Sequence, residues 1–246
     1  MTSVNLSATI RALEVSLEQI AFGQCLLFTD ARPERLHPSI RIVPVDRLTS
    51  SAAYSQFLLN RLVDYVTTSH CLVAQWDGHV LDATRWQSEF LEYDYIGASW
   101  PQFDDGHDVG NGGFSLRSRR LMELCRAPDF EQAHPEDLAI GRTNRAWLEA
   151  QGLRFAPREL ADAFSAERRA DVRRTFGYHG AFRMPDAIGP ERFWDVYKDL
   201  DDIGTVRHDF FSIARDMWPM RNALARISRL AADCLLLPLR RKARKS

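Results

Sequence analysis

Apolar positions in this chain fall alternately into helical stripes and short continuous runs. Ile10, Leu13, Leu17 and Ile20 keep helical spacing with Glu14, Glu18 and Gln19 outside, so the chain opens on a helix, with Ser7 as N-cap and Gly23 as its stop. Leu26-Leu-Phe28 is a short buried strand closed by Thr29-Asp30. Pro33 and Pro38 mark a loop, and Arg41-Ile-Val-Pro-Val45 is a second strand near an edge, because Pro44 has no N–H to give. Residues 51–66 form a second helix with Phe57, Leu58, Leu62 and Tyr65 on one stripe. Cys71-Leu-Val-Ala-Gln-Trp-Asp-Gly78 then reads as a buried strand stopped by glycine. Helix, two strands, helix and strand in that order predict a mainly parallel sheet covered by helices. A sheet of this kind ordinarily begins with a strand before its first helix. Either Met1 to Val4 is the tail of a shortened strand, or the natural start lies upstream.

Further on, Trp86 and Phe90-Leu91 suggest a short helical piece, and Tyr93-Asp-Tyr-Ile-Gly-Ala-Ser-Trp100 an aromatic strand. Asp104 to Asp108 is a polar loop. Val109-Gly-Asn-Gly-Gly-Phe-Ser-Leu-Arg117 follows, its glycines able to approach a ligand closely, and Ser118 caps a helix to about Arg126. Pro135-Glu-Asp137 opens another helix that runs to Gly152, Arg154-Phe-Ala156 is a short strand, and Thr175 to Gly180 is a glycine-flanked turn. From Pro190 onward the pattern is helical, broken at Pro219. There are no repeats. The pattern predicts one α/β domain over 1–185 and a helical extension over 186–246 that ends in a basic tail.

Ligands of open α/β sheets bind at the carboxyl ends of strands. Residues two apart on an extended strand point the same way, so Gln75 and Asp77 would face a common point. An amide oxygen beside a carboxylate suits a hard divalent cation or a sugar-nucleotide; the plainer alternative is a polar strand end capping a turn.

Composition adds exclusions. The 246 residues carry 32 basic and 33 acidic side chains, a net charge of −1, which gives no electrostatic case for a nucleic-acid partner. Cys25, Cys71, Cys125 and Cys234 are scattered without metal-type spacing, as expected of free thiols in a reducing compartment. No signal peptide or membrane-spanning run is expected, which points to the cytoplasm.

Taken in order, Gln75-Trp-Asp77-Gly, Tyr93 to Trp100, Val109 to Ser118, Pro135-Glu-Asp137 and Phe176-Gly-Tyr-His-Gly180 resemble an uncharacterised glycosyltransferase-like family of the DUF5672 type, with the GT-A fold. The resemblance covers roughly Met1 to Phe182, and Asn-Gly-Gly-Phe-Ser-Leu-Arg is its most specific piece. It implies a GT-A-like, mostly parallel mixed sheet flanked by helices. It also implies transfer of a sugar from a nucleotide-sugar donor to a hydroxyl of a glycan or lipid-linked acceptor, in polysaccharide or glycoconjugate assembly.

The same resemblance implies site roles. Gln75-x-Asp77 stands where such enzymes carry Asp-x-Asp on a divalent metal (Mn²⁺ or Mg²⁺), with an amide replacing the first carboxylate. His179 matches a late metal ligand; the plainer reading is a turn histidine. Asp137, or Glu136, matches the general base of an inverting transfer, although acids in a first helical turn also answer the helix dipole. Asn111, Gly112 and Gly113 match the floor of the donor-sugar or acceptor pocket. Trp100 and Trp76 could stack on a sugar or belong to the core. Thr2, Ser3, Asn5, Thr29 and Asp30 lie where the nucleotide base and ribose would sit. The rival reading is a binding module that kept the fold without the chemistry. Leu224, Ile227, Leu230, Ala231, Cys234 and Leu235, followed by Arg240 to Lys245, form either a core-facing stripe with a solvated tail or a contact for an anionic membrane surface.

Overall fold

The computed structural model describes residues 2–218 and 220–243. In chain order the elements are α1 (Leu6–Gln19), β1 (Cys25–Thr29), β2 (Ile40–Pro44), α2 (Ser51–Asn60), β3 (His70–Ala74), β4 (Tyr95–Ile96), β5 (Phe114–Ser118) and α3 (Arg119–Leu124). Next come α4 (Glu136–Leu138), α5 (Arg145–Ala150), α6 (Arg158–Phe164), β6 (Ser165–Ala166), β7 (Gly177–Tyr178) and α7 (Met184–Ala187). The last are α8 (Pro190–Lys198), α9 (Gly204–His208), α10 (Phe210–Met217) and α11 (Ala223–Ala243). The α/β class is as expected. The mostly parallel sheet is not. The strands form three small sheets: β1–β2 parallel, β3–β5–β4 antiparallel, and β6–β7 parallel. An apolar run such as Leu72-Val-Ala74 fits either direction, so the hydrophobic pattern could not tell that β3 would pair antiparallel with β5.

Local chemistry set some boundaries as expected and moved others. Ser118 caps α3, its side chain accepting from the Leu121 amide at 3.0 Å. Asn5, in the left-handed conformation and without a side-chain capping bond, precedes the first helix in place of Ser7, and the helix ends at Gln19 rather than at Gly23. Its buried face is Ala8, Thr9, Ala12 and Ser16; small residues let it lie close on the core, while Leu13 and Ile20 line a cavity instead. The second helix stops at Asn60 and continues as a single 3₁₀ turn, Leu62–Tyr65. The expected strand at 93–100 shrinks to β4, and Arg154 to Ala156 contributes only a bridge from Phe155 to Tyr95.

The C-terminal helices are not a detached unit. Ala8 of α1, Tyr178 of β7 and Phe182 share one buried cluster with Phe193, Val206, Ile213, Met217, Leu230 and Cys234. The 185/186 boundary falls inside α7. Helix α11 turns Ile227, Leu230 and Cys234 inward, whereas Leu224 and Leu235 are exposed. Pro219 and the side chains of the tail from Arg240 to Lys245 lie outside the described residues. All four cysteines are free.

Candidate functional site

Strand β3 ends at Ala74 with its apolar run, short of the expected stop at Gly78. Gln75 to Gly78 form a turn closed by the Gly78 N–H on the Gln75 carbonyl at 3.2 Å. Gln75 and Asp77 therefore approach one point through a turn and not through extended alternation. Trp76, between them, packs against the cluster containing Ala8 and Tyr178 and lines a separate cavity with Arg11, Glu14 and His79.

The β6–β7 ladder brings in the remaining groups. Ala166 pairs with Tyr178, and the next rung, His179 N–H donating to the Ala166 carbonyl at 2.9 Å, sets Glu167 beside His179. The His179 ring lies between two carboxylates, with Nε2 3.5 Å from Asp77 Oδ1 and Nδ1 3.6 Å from Glu167 Oε1. Nε2 is also 3.4 Å from Gln75 Oε1, and the Gln75 amide nitrogen donates to the Tyr54 hydroxyl at 3.1 Å. Asp77 is held by its second oxygen, which accepts from the Ala181 N–H at 3.1 Å. Its first oxygen, buried, makes no hydrogen bond among the described residues. Burial alone would disfavour an imidazolium here, but Asp77 and then Glu167 outweigh it and raise the His179 pKa to about 10.

The glycines join this group to the next. A Cβ on Gly113 would collide with the His179 imidazole, and one on Gly112 would collide with the Glu136 carboxylate. The close approach of both side chains is what requires glycine at these two positions. The Gly112 N–H donates to Asp137 Oδ2 at 3.2 Å. Asn111 is left-handed, and its side-chain oxygen accepts from the Gly113 N–H at 3.1 Å, closing the turn. The run from 111 to 113 thus places His179 on one side and the Glu136–Asp137 pair on the other.

Those two acids differ. Glu136 is buried and committed: one oxygen pairs with Arg117 Nη2 at 3.1 Å and the other accepts from the Ser55 hydroxyl at 3.0 Å. Asp137 is half-buried. Burial, and then the neighbouring Glu136 charge, raise its pKa above the ordinary carboxylate value, against hydrogen bonds from the Leu138 and Gly112 amides. With no ion-pair partner among the described residues, Asp137 is open to accept a proton, whereas Glu136 is taken up by Arg117 and Ser55.

The other expected residues lie elsewhere. Trp100 is 6 % exposed, beneath Gly110 and against Phe103, so it forms wall and not a sugar platform. Asn5 is fully engaged, with Oδ1 accepting from the Asp201 and Asp202 amides at 3.0 and 2.9 Å and Nδ2 donating to the Asp202 carbonyl at 2.8 Å. That amide ties the start of α1 to the loop before α9. The Thr2 N–H donates to the Phe28 carbonyl at 2.8 Å, Ser3 Oγ accepts from the Leu48 amide at 2.8 Å, and Thr29 Oγ1 accepts from the Ala31 amide at 3.2 Å. Asp30 is exposed at the end of β1.

Sequence reasoning missed Tyr54, Ser55, Arg117 and Glu167. Arg117 is 1 % exposed. Its signal was a polar alternation, Ser115 and Arg117, inside a strand buried on both faces. Glu167 carried the same signal as Asp77, an acid closing a short apolar run.

The donor set fits a divalent cation in kind. Asp77 Oδ1 lacks a hydrogen bond, and Gln75 Oε1 and His179 Nε2 point to the same place. Among the described residues no three His, Cys, Asp or Glu side chains are grouped for a metal, so an ion would depend on the Gln75 amide as third donor.

A family model described as a protein of unknown function, DUF5672, matches residues 37–179, more than half of the chain. The chain belongs to the DUF5672 family. The DUF5672 match contains Gln75, Asp77, the 111–113 turn, Glu136 and Asp137, and ends on His179. Helix α1, strand β1 and the C-terminal helices lie outside it. No curated protein and no solved structure matches the chain.

Proposed function

We propose that this DUF5672 protein is a glycosyltransferase whose GT-A-like domain packs against the C-terminal helices as one unit. It moves a sugar from a nucleotide-sugar donor to a hydroxyl acceptor, in the cytoplasm or at a membrane surface. The observation that carries the reading is the convergence of Gln75, Asp77 and His179, from segments a hundred residues apart, on glycines that also hold Asp137.

In this reading Asp137 takes the proton of the acceptor hydroxyl, its raised pKa making it the stronger base. Gln75, Asp77 and His179 face the donor diphosphate, where negative charge builds as the glycosidic bond breaks. Manganese or magnesium, when bound by Asp77, His179 and Gln75, supplies neutralisation of that charge. The imidazolium of His179 supplies the same charge without a metal, which its raised pKa favours.

The test is a panel of nucleotide-sugars with the full chain, followed by donor hydrolysis and transfer. Turnover falling by about 10²-fold or more in Asp137→Asn, with donor affinity kept, supports the reading. Calorimetry separates the two sources of charge. Manganese binding to neutral imidazole at pH 8 must release the His179 proton, visible as heat that depends on the buffer. The second reading, a nucleotide-sugar or glycan-binding module, is favoured by the amide of Gln75 where a carboxylate pair is expected. Binding without turnover, unchanged by Asp137→Asn, selects it. Contact with a membrane surface draws on the exposed Phe211 and Trp218, at 86 % and 63 %. Among the described residues no helix is long and apolar enough to cross a bilayer.

A further inference from the structure

Helix α2 reaches both halves of the site with consecutive residues. Ser50 caps it, accepting from the Ala53 amide at 3.1 Å, and the Tyr54 N–H donates to the Ser50 carbonyl at 3.2 Å. The Ser55 hydroxyl bonds Glu136 and His134. Tyr54, half-buried, sets its hydroxyl against Gln75, where the charges of Glu136, Arg117 and Asp77 all act on it. The phenol thus stands between the Gln75–Asp77–His179 group and the Glu136–Arg117 pair.

The polarity of these bonds is fixed by which atoms can donate. An amide oxygen only accepts, so in the 3.4 Å contact between Gln75 Oε1 and His179 Nε2 the imidazole N–H is the donor. The carboxylates of Asp77 and Glu167, one facing each ring nitrogen, call for a hydrogen on both nitrogens as well. With Oε1 turned to His179, the Gln75 amide nitrogen faces Tyr54 and donates to its hydroxyl at 3.1 Å. The hydroxyl therefore accepts from Gln75, and its own proton has no acceptor among the described residues. A carboxylate at position 75 would reverse this bond, since it could only accept, and would take the Tyr54 proton for itself. A cation on Oε1 in place of the imidazole N–H would leave the amide nitrogen on Tyr54.

We propose that Tyr54 is a ligand-contacting residue of this site, donating its hydroxyl proton to an anionic oxygen of the donor diphosphate, and that Gln75 is the positioning residue that keeps this proton free for the ligand. A charged oxygen is the matching acceptor, because a hydrogen bond to it is about twice as strong as one to a neutral oxygen. The amide that stands where a carboxylate pair is expected then has a task of its own, to direct a donor at the ligand. The identity of the ligand rests on the sugar-transfer reading; the direction of the bonds does not.

The test titrates inorganic pyrophosphate, the part common to all such donors, and a panel of nucleoside diphosphates into the full chain by calorimetry, with and without magnesium. Tyr54→Phe keeps the ring and should weaken pyrophosphate binding about ten- to a hundredfold. Gln75→Glu should weaken it at least as much. Charge repulsion by itself would do the same, so the double variant decides. With the carboxylate already holding the proton, adding Tyr54→Phe to Gln75→Glu should change the affinity by less than about twofold. An equal loss on Tyr54→Phe in both backgrounds overturns the proposal, and so does undiminished binding by Tyr54→Phe alone. Should Gln75→Glu fail to fold, Tyr54→Phe decides by itself. A wild type that binds pyrophosphate through Tyr54 and transfers no sugar keeps this proposal and removes the sugar-transfer reading. A wild type that binds neither pyrophosphate nor any nucleoside diphosphate removes both.

Discussion

At the scale of single residues, the site is governed by charges that depend on one another. His179 is 15 % exposed and lies between Asp77 and Glu167. Its folded pKa, about 10, is above the value near 6.5 expected of an unfolded chain. The folded state therefore binds the proton more tightly, and the resulting stability is complete below about pH 6.5 and lost as pH rises towards about 10. Melting curves of the wild type and His179→Gln should differ most near pH 6 and converge near pH 10; a gap that widened with pH would contradict the charge arrangement. Arg117 and Glu136 obey a harsher rule, because both are buried. Glu136→Ala leaves the guanidinium uncompensated and should cost about 3–5 kcal/mol in urea denaturation. The double variant Arg117→Met/Glu136→Leu should cost less than the single one, since both charges leave together.

At the scale of elements, short strands and turns do the placing. β6 and β7 are two residues each, yet their register sets Glu167 and Tyr178-His179 against one another. The glycine run before β5 works similarly, carrying the backbone between two side chains without a Cβ in the way. Helix α3, which follows β5, depends on its cap. Ser118 accepts from the Leu121 amide and donates to Asp94 at 2.6 Å, so Ser118→Ala removes two bonds. A loss of about 1–2 kcal/mol is expected, read as a shifted denaturation midpoint with an unchanged slope. Much at this scale was legible. Ser118 before an apolar stripe, Gly78 after an apolar run and Gly112-Gly113 before a strand are local signals. The bounds of α1 were less so, because Asn5, at its start, is fixed by bonds to Asp201 and Asp202 and not by a local cap.

At the scale of the whole molecule, one cluster spans the chain from Ala8 to Cys234. The family match stops at residue 179, but the packing does not. The C-terminal helices should therefore unfold with the sheets. Leu230, fully buried on α11, touches this cluster, and Leu230→Ala should lower stability by about 2–5 kcal/mol. Calorimetry should show a single transition moving as a unit; two transitions, with only the later one shifted, would mark 186–246 as independent.

The sequence by itself determined the α/β class, most helices and strands, and the residues worth watching: Gln75, Asp77, the 111–113 turn, Glu136-Asp137 and His179. These depend on interactions within a few positions, such as apolar spacing, caps and glycine. Tertiary structure alone decided strand direction, the sharing of His179 between Asp77 and Glu167, and the sequestering of Glu136 by Arg117. It also decided that Asn5 serves the loop before α9 and that Trp100 is wall. Each of these joins groups far apart in the chain, and the energy of a buried charge or hydrogen bond depends on which distant partner the fold supplies.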